Sequence, residues 1–211
     1  MISEKENLEI LDFLQQKLKK QISFTNQLKK LETVAGCDVS YQKDKAKVGI
    51  CVLNDKFEIL EEISKVRNSP FPYLSGYLMF REAPLILEAL FKIKTKIDCL
   101  LVDGNGILHP HSMGLATFLG IILRKPTIGC AKTLLLGNYS SLDKKRGDFS
   151  YIKHKRKILG MALCTKDNTK EIYISIGWGI TLKKAKEVVL RFCRFRIPEP
   201  IRKAHQLSRF I

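Results

Sequence analysis

Ile97-Asp98-Cys99-Leu100-Leu101-Val102-Asp103-Gly104 reads as a short apolar run that stops at an acid and a glycine. It lacks polar alternation, as a strand covered on both faces does. Upstream, Gly76 to Lys96 predicts a helix with Leu87, Leu90 and Phe91 on one face and Pro84 as a kink near its first turns. Downstream, a helix is expected from about Met113 to Leu123, then a strand over Pro126-Thr127-Ile128-Gly129-Cys130. Strand, helix, strand at this spacing is an α/β pattern with parallel pairing.

Farther out, Thr33–Tyr41, Ala46–Leu53 and Phe57–Val66 are strand-like, joined by Gln42-Lys43-Asp44-Lys45 and Asn54-Asp55-Lys56. Two such short turns imply an antiparallel meander. Residues 4–20 place Leu8, Leu11, Leu14 and Leu18 at helical spacing, so residues 1–30 form a helical flank expected to cover one side of the sheet. The polar, basic stretch 138–157 reads as a surface loop. Lys157–Cys164 and Glu171–Ile176 read as a hairpin turning at Lys166-Asp167-Asn168-Thr169, and helices follow at about 181–195 and 199–210. The expected architecture is one domain over residues 1–211: an α/β, ribonuclease H-like mixed sheet of three antiparallel strands plus parallel strands, flanked by helices.

Residues 1–110 hold 16 basic and 15 acidic side chains, whereas residues 111–211 hold 21 and 6, so the net charge of +16 sits almost wholly in the second half. A basic surface beside a cluster of acids suits a phosphodiester-cutting enzyme, where Lys and Arg attract the backbone and carboxylates hold metal. A solvated lysine-rich surface with no such role is the alternative. No apolar run approaches the roughly 20 residues needed to cross a bilayer, and the acidic start carries no secretory signature, so a cytosolic protein is expected. The six cysteines are scattered without a C-x-x-C pair and read as reduced core thiols. No interface signal stands out, and a monomer is the default.

Asp38 interrupts the apolar run Val34-Ala35-Gly36-Cys37-Asp38-Val39, where an acid is costly unless solvated or paired. Asp103 stands at the carboxyl end of its strand, where sites of open α/β sheets gather. Glu82 lies in the mostly apolar helix after Arg81. Each also has a purely structural reading: Asp103 as a cap, Asp38 as the partner of a buried cation, Glu82 as a solvated helix residue.

The wording of five blocks, in order, resembles the endonuclease V family from about residue 33 to residue 207. They are Ala35-Gly36-Cys37-Asp38-Val39-Ser40; Phe71-Pro72-Tyr73 with Phe80-Arg81-Glu82-Ala83-Pro84; Asp103-Gly104-Asn105-Gly106 with His109-Pro110; Pro126-Thr127-Ile128-Gly129-Cys130-Ala131-Lys132; and Arg196-Ile197-Pro198-Glu199-Pro200 with Arg202. The resemblance implies a deoxyribonuclease V-type hydrolase acting in DNA repair. It would cut DNA, or RNA, carrying deoxyinosine or inosine at the second phosphodiester 3′ to the lesion, leaving 5′-phosphate and 3′-hydroxyl ends. By resemblance, Asp38, Glu82 and Asp103 hold Mg²⁺, with Mn²⁺ as the other ion suited to hard oxygen ligands, and Lys132 joins them as a catalytic residue beside the scissile phosphate. Tyr73 with Pro72 forms a strand-separating wedge, and Gly76, Leu78, Gly104, Gly106, Gly114 and His109 surround the flipped base.

Departures from the family pattern qualify this reading. Pro72-Tyr73-Leu74-Ser75 lacks the second proline of the usual Pro-Tyr-Ile-Pro. Trp178 stands in Ser175-Ile176-Gly177-Trp178-Gly179 where a metal-binding histidine is expected, and an indole cannot ligate. His205 matches a family position, and no ligand role is assigned to it. Two alternatives therefore stand: an inosine-binding protein with weak or no cleavage, and a ribonuclease H-like nuclease with relaxed lesion preference.

Overall fold

A computed structural model of the chain describes residues 4–69 and 71–210. The meander forms as expected: β1 (Thr33–Gln42) pairs antiparallel with β2 (Lys45–Asn54), and β2 with β3 (Ile59–Asn68). The apolar run that opened the sequence reading becomes β4 (Cys99–Val102), parallel to β1 on one side and to β5 (Thr127–Ala131) on the other. The hairpin of β7 (Lys157–Leu163) and β8 (Ile172–Trp178) joins the same sheet, because β8 pairs antiparallel with β5. The complete order is β3-β2-β1-β4-β5-β8-β7-β6, with β6 (Phe149–His154) as an edge strand.

Strand periodicity divides the core into two layers. Val34, Leu101 and Ile128 face one side, where α4 (Leu182–Arg191) contributes Val188 and Val189 and α5 (Glu199–Ser208) contributes Ile201. Ala35, Leu100 and Val102 face the other, against Met79 and Ile86 of α2 (Leu78–Leu90) and Leu119 of α3 (Leu115–Leu123). All six cysteines are free and buried, as reduced core thiols should be. No helix among the described residues is long and apolar enough to cross a membrane.

Two glycines bring α5 unusually close to the sheet. A Cβ on Gly36 would lie 2.1 Å from the Pro200 carbonyl carbon, and one on Gly49 would lie 2.1 Å from the Ala204 carbonyl oxygen and 2.7 Å from the Ser208 nitrogen. The helix backbone therefore rests directly on β1 and β2 at two points. No other residue type leaves room there.

The N-terminal helix α1 (Glu4–Lys19) lies against the start of α2. Gln15 Nε2 donates to the Gly76 carbonyl at 3.0 Å and Tyr77 Oη donates to Asp12 at 2.9 Å, while Leu18 reaches the α2/α3 layer of the core.

Three expectations need correction. The helix over 76–96 stops at Leu90, because Glu61 of β3 accepts hydrogen bonds from the Lys94 and Thr95 amides and holds that segment in a turn. The C-terminal helices are likewise shorter than read, α4 ending at Arg191 and α5 at Ser208. The stretch 138–157 is not all loop, since β6 pairs with β7 across a two-residue turn at Lys155-Arg156.

Both turn residues have positive φ, 45° and 65°, the pattern of a type I′ turn that Asn-Gly would ordinarily fill. Left-handed backbone costs a lysine or arginine about 1 kcal/mol or more. Substituting Lys155→Asn together with Arg156→Gly is expected to raise the melting temperature by about 2–4 °C per kcal/mol released. Calorimetry showing no rise would mean the turn is not strained.

Candidate active site

The alternation that buries Val34 against α5 also turns Gly36 and Asp38 to that face. One parallel step beyond Val102, the Asp103 amide donates to the Cys37 carbonyl at 3.2 Å, which carries the ladder past the end of β4. Both aspartates thus stand side by side, Asp103 just past the carboxyl end of β4 and Asp38 within β1 where its pairing with β4 stops. Ser208 Oγ donates to Asp38 Oδ2 at 2.6 Å, and His205 Nδ1 lies 2.9 Å from the same oxygen. Ligand atoms of Asp38, Asp103 and His205 all lie within 4.8 Å of one another. Lys132, just past β5, places its Nζ 2.5 Å from Asp103 Oδ2.

Glu82 approaches from the opposite layer, on the buried face of α2, and lies outside that tight group. Burial, reinforced by the charges of Asp38 and Asp103, pushes its carboxyl up to about 8. Burial also raises Asp103, with Lys132 opposing the shift and Asp38 adding to it. Buried carboxyls raised by neighbouring carboxylates in this way mark a site short of positive charge. Two oxygen donors and an imidazole within one coordination sphere, with a third carboxylate close by, fit a hard divalent cation.

A stability consequence follows for the cation-free protein. A carboxyl at about 8 in the fold, against its usual value of 4.5, favours folding while protonated. That contribution is present below about pH 4.5 and is lost as pH rises toward 8. Melting temperature measured in chelator should therefore fall over this window, and Glu82→Gln should flatten the fall. An unchanged slope in the variant would show that Glu82 is not the group responsible.

The sequence reading assigned no role to His205 and did not single out Ser208. They sit three residues apart on one face of α5 and reach Asp38 only because of where that helix packs, so the signals on offer were helical spacing and, for His205, its match to a family position. Trp178 requires the converse correction. It pairs with Thr127 at the start of β5, whereas the aspartates lie at the other end of the parallel strands. Its indole nitrogen donates to the Gln21 carbonyl at 2.9 Å, and the ring is buried in the α2/α3 layer. No ligand position is lost at Trp178, and the histidine beside the carboxylates is His205.

Next to the carboxylates opens a cavity of about 370 Å³ whose lining includes Tyr73, Gly76, Leu78, Gly104, His109 and Gly114. Tyr73 is 67% exposed, and its ring is free to meet a ligand. Gly106 and Pro72 do not line this space. A Cβ on Gly106 would meet the Ile176 carbonyl oxygen at 2.1 Å, so that glycine serves close packing, and Pro72 borders a separate depression beside Arg81. The His111 amide donates to His109 Nδ1 at 3.3 Å, which assigns the neutral ring's proton to Nε2. Burial, with His111 nearby, lowers His109 to about 4, so it is uncharged at neutral pH.

The Endonuclease V family profile matches residues 16–206. Over 198 residues the chain is 42% identical to endonuclease V of Dictyoglomus turgidum, covering 93% of this chain and 87% of that one. The catalytic domain of human endonuclease V superposes with a TM-score of 0.92 at 31% identity, covering 98% of this chain and 96% of that one. The Ciona intestinalis endonuclease V in complex with a 24mer DNA containing an inosine followed by a ribo-adenosine gives a TM-score of 0.84 at 26% identity over 96% of each chain. An acid cluster where β1 leaves its pairing with β4, a neighbouring cavity, and agreement in sequence and fold along nearly the whole length lead to one assignment: the chain belongs to the endonuclease V family of DNA-cleaving hydrolases.

Proposed function

We propose that this enzyme cuts deoxyinosine- or inosine-containing strands at the second phosphodiester 3′ to the lesion, leaving 5′-phosphate and 3′-hydroxyl ends, with Mg²⁺ or Mn²⁺ held by Asp38, Asp103, Glu82 and His205. The observation that carries the reading is the adjacency of the Asp38–Asp103–His205 cluster to a cavity bordered by an exposed tyrosine. A bound divalent cation would supply Lewis acidity for activating water and neutralising charge at phosphorus. Ser208 fixes the orientation of the Asp38 carboxylate. Lys132 is half-exposed and can turn its ammonium from Asp103 toward a phosphate oxygen as negative charge builds there.

The cavity suits a flipped purine, and Tyr73, with Pro72 before it in the chain, can stack in the gap the base leaves. His109 deepens the specificity. With its proton on Nε2 it is a neutral donor, suited to the O6 acceptor of hypoxanthine and mismatched to the N6 amino group of adenine. His109→Ala is expected to reduce discrimination between inosine and adenosine strands by roughly tenfold or more. Relative cleavage of paired oligonucleotides measures it, and unaltered discrimination would remove His109 from recognition.

The direct test incubates the protein with matched inosine and plain strands of DNA and RNA in Mg²⁺ or Mn²⁺, beside Asp38→Ala. Inosine-dependent cleavage lost in the variant is expected. Absence of cleavage on every inosine strand would overturn the reading, and equal cutting of plain strands would leave a nuclease with relaxed preference.

A further inference from the structure

The β6 edge carries features that the hydrolytic centre does not use. Phe149 and Tyr151 occupy alternate positions and are 39% and 44% exposed, with ring centroids 5.4 Å apart at 79°. Lys186 of α4 places its Nζ 3.9 Å from the centre of the Phe149 ring. These two residues, with Asn138, Tyr139, Ser140, Ser150 and Lys153, border an open cavity of about 500 Å³.

Charge at this edge is one-sided. Residues 132–157 hold eight Lys and Arg but only Asp143 and Asp148 as acids. Arg146 is committed to the carbonyls of Thr165, Leu190 and Cys193. Among the described residues no ion pair engages Lys153, Lys155, Arg156 or Lys157. Two of these cations occupy the positive-φ turn where uncharged Asn-Gly would be more comfortable. Exposed rings interleaved with free cations are the chemistry that binds single-stranded nucleic acid, since every base has a face to stack and every nucleotide a phosphate to pair.

A continuous path joins this edge to the active site. The segment leaving β5 begins at Lys132, passes Leu135, which lines the cavity beside the carboxylates, and reaches Asn138, which bridges to Lys153 of β6. Four inter-strand steps of about 4.8 Å separate β4 from β6, roughly 19 Å, a span of about six stacked nucleotides at about 3.4 Å each.

We propose that the β6 edge, through Phe149, Tyr151 and the basic tip of the β6–β7 hairpin, is a second nucleic-acid contact that holds a single-stranded flank of the substrate about six nucleotides from the cleavage centre. The proposal rests on the nuclease reading in taking that strand to be the substrate's own. Loss of the two rings is expected to weaken binding of a strand long enough to reach them, by roughly tenfold per stacked base.

The test measures fluorescence anisotropy with labelled single-stranded DNA in chelator. A short inosine strand is compared with strands extended stepwise to about ten nucleotides on the 5′ or the 3′ side. The readout is the ratio of long-strand to short-strand affinity. In the wild type this ratio should climb roughly tenfold or more once the extension on one side passes about six nucleotides. Phe149→Ala with Tyr151→Ala should bring it to within about threefold of unity, whereas Tyr151→Phe alone, which keeps the ring, should retain it.

Lys155→Asn with Arg156→Gly, a change that relaxes the turn, should also lower the ratio, which guards against reading a folding defect as lost contact. A ratio that stays flat on both sides, or a gain that survives the double alanine change, would overturn the proposal. The same series with adenine in place of inosine separates the two readings. Equal binding of the short adenine and inosine strands would count against lesion specificity, while the ring-dependent ratio would still report the β6 contact.

Discussion

Asp103→Asn should lower the cleavage rate by roughly 10³-fold while leaving a protein that folds. Asp103 shares its space with Asp38 and His205, and the amide retains its shape while removing one formal charge and one anionic ligand. Burial already disfavours the ionised form of this carboxyl, so the uncharged side chain is tolerated. The Lys132 ammonium, which loses its partner, is about 40% exposed and can turn to water. In chelator the variant should therefore melt close to the wild type. Adding Mg²⁺ should raise the wild-type melting temperature and move the variant far less, because only a native state that binds the ion gains from it. A variant that still cuts within about tenfold of wild type would remove Asp103 from the catalytic set.

Gly49→Ala is expected to cost about 3 kcal/mol of stability and to lower the melting temperature by about 6–12 °C. The added methyl would meet the Ala204 carbonyl oxygen at 2.1 Å and the Ser208 amide at 2.7 Å, so relief requires moving a helix backbone, not one side chain. Displacing α5 also displaces Ser208 and His205 from Asp38. Activity per folded molecule should therefore fall with stability. Denaturation and active-site titration on the same preparation separate the two losses. If Gly49→Ala lost stability and kept full specific activity, α5 would be support for the fold alone.

The layers and the order of the central strands were legible because their residues announce themselves. The unalternating Cys99–Val102 had to lie between covered faces, and the two short turns around β2 forced a meander. Asp38 stood out as an acid inside an apolar strand and Asp103 as an acid at a strand's carboxyl end, but each alone also fitted a structural role, and only the resemblance of the five blocks to the family joined them into one site. What could not be read was set by contacts between distant segments. Glu61 ends α2 from another strand, and α5 brings His205 to Asp38 across 167 residues. The edge strand β6 was hidden by its chemistry. Its turn lacks the Asn-Gly signature, and Ile152 is its only fully buried side chain, leaving little periodicity to detect. Trp178 was misplaced because a motif match fixes order along the chain and not which end of a strand faces the site.

β1 is hydrogen-bonded along both sides, to β2 over its whole length and to β4 as far as Cys37. The facing of Asp38 is thereby inherited from main-chain pairing, and a one-residue slip would send the carboxylate into the opposite layer. For protein engineering this separates what can be varied from what cannot. Side chains filling the two layers can be exchanged for others of similar volume without re-aiming the acids. Insertions, deletions or prolines in β1, β2 or β4 would dismantle the site while leaving every one of its residues in the sequence.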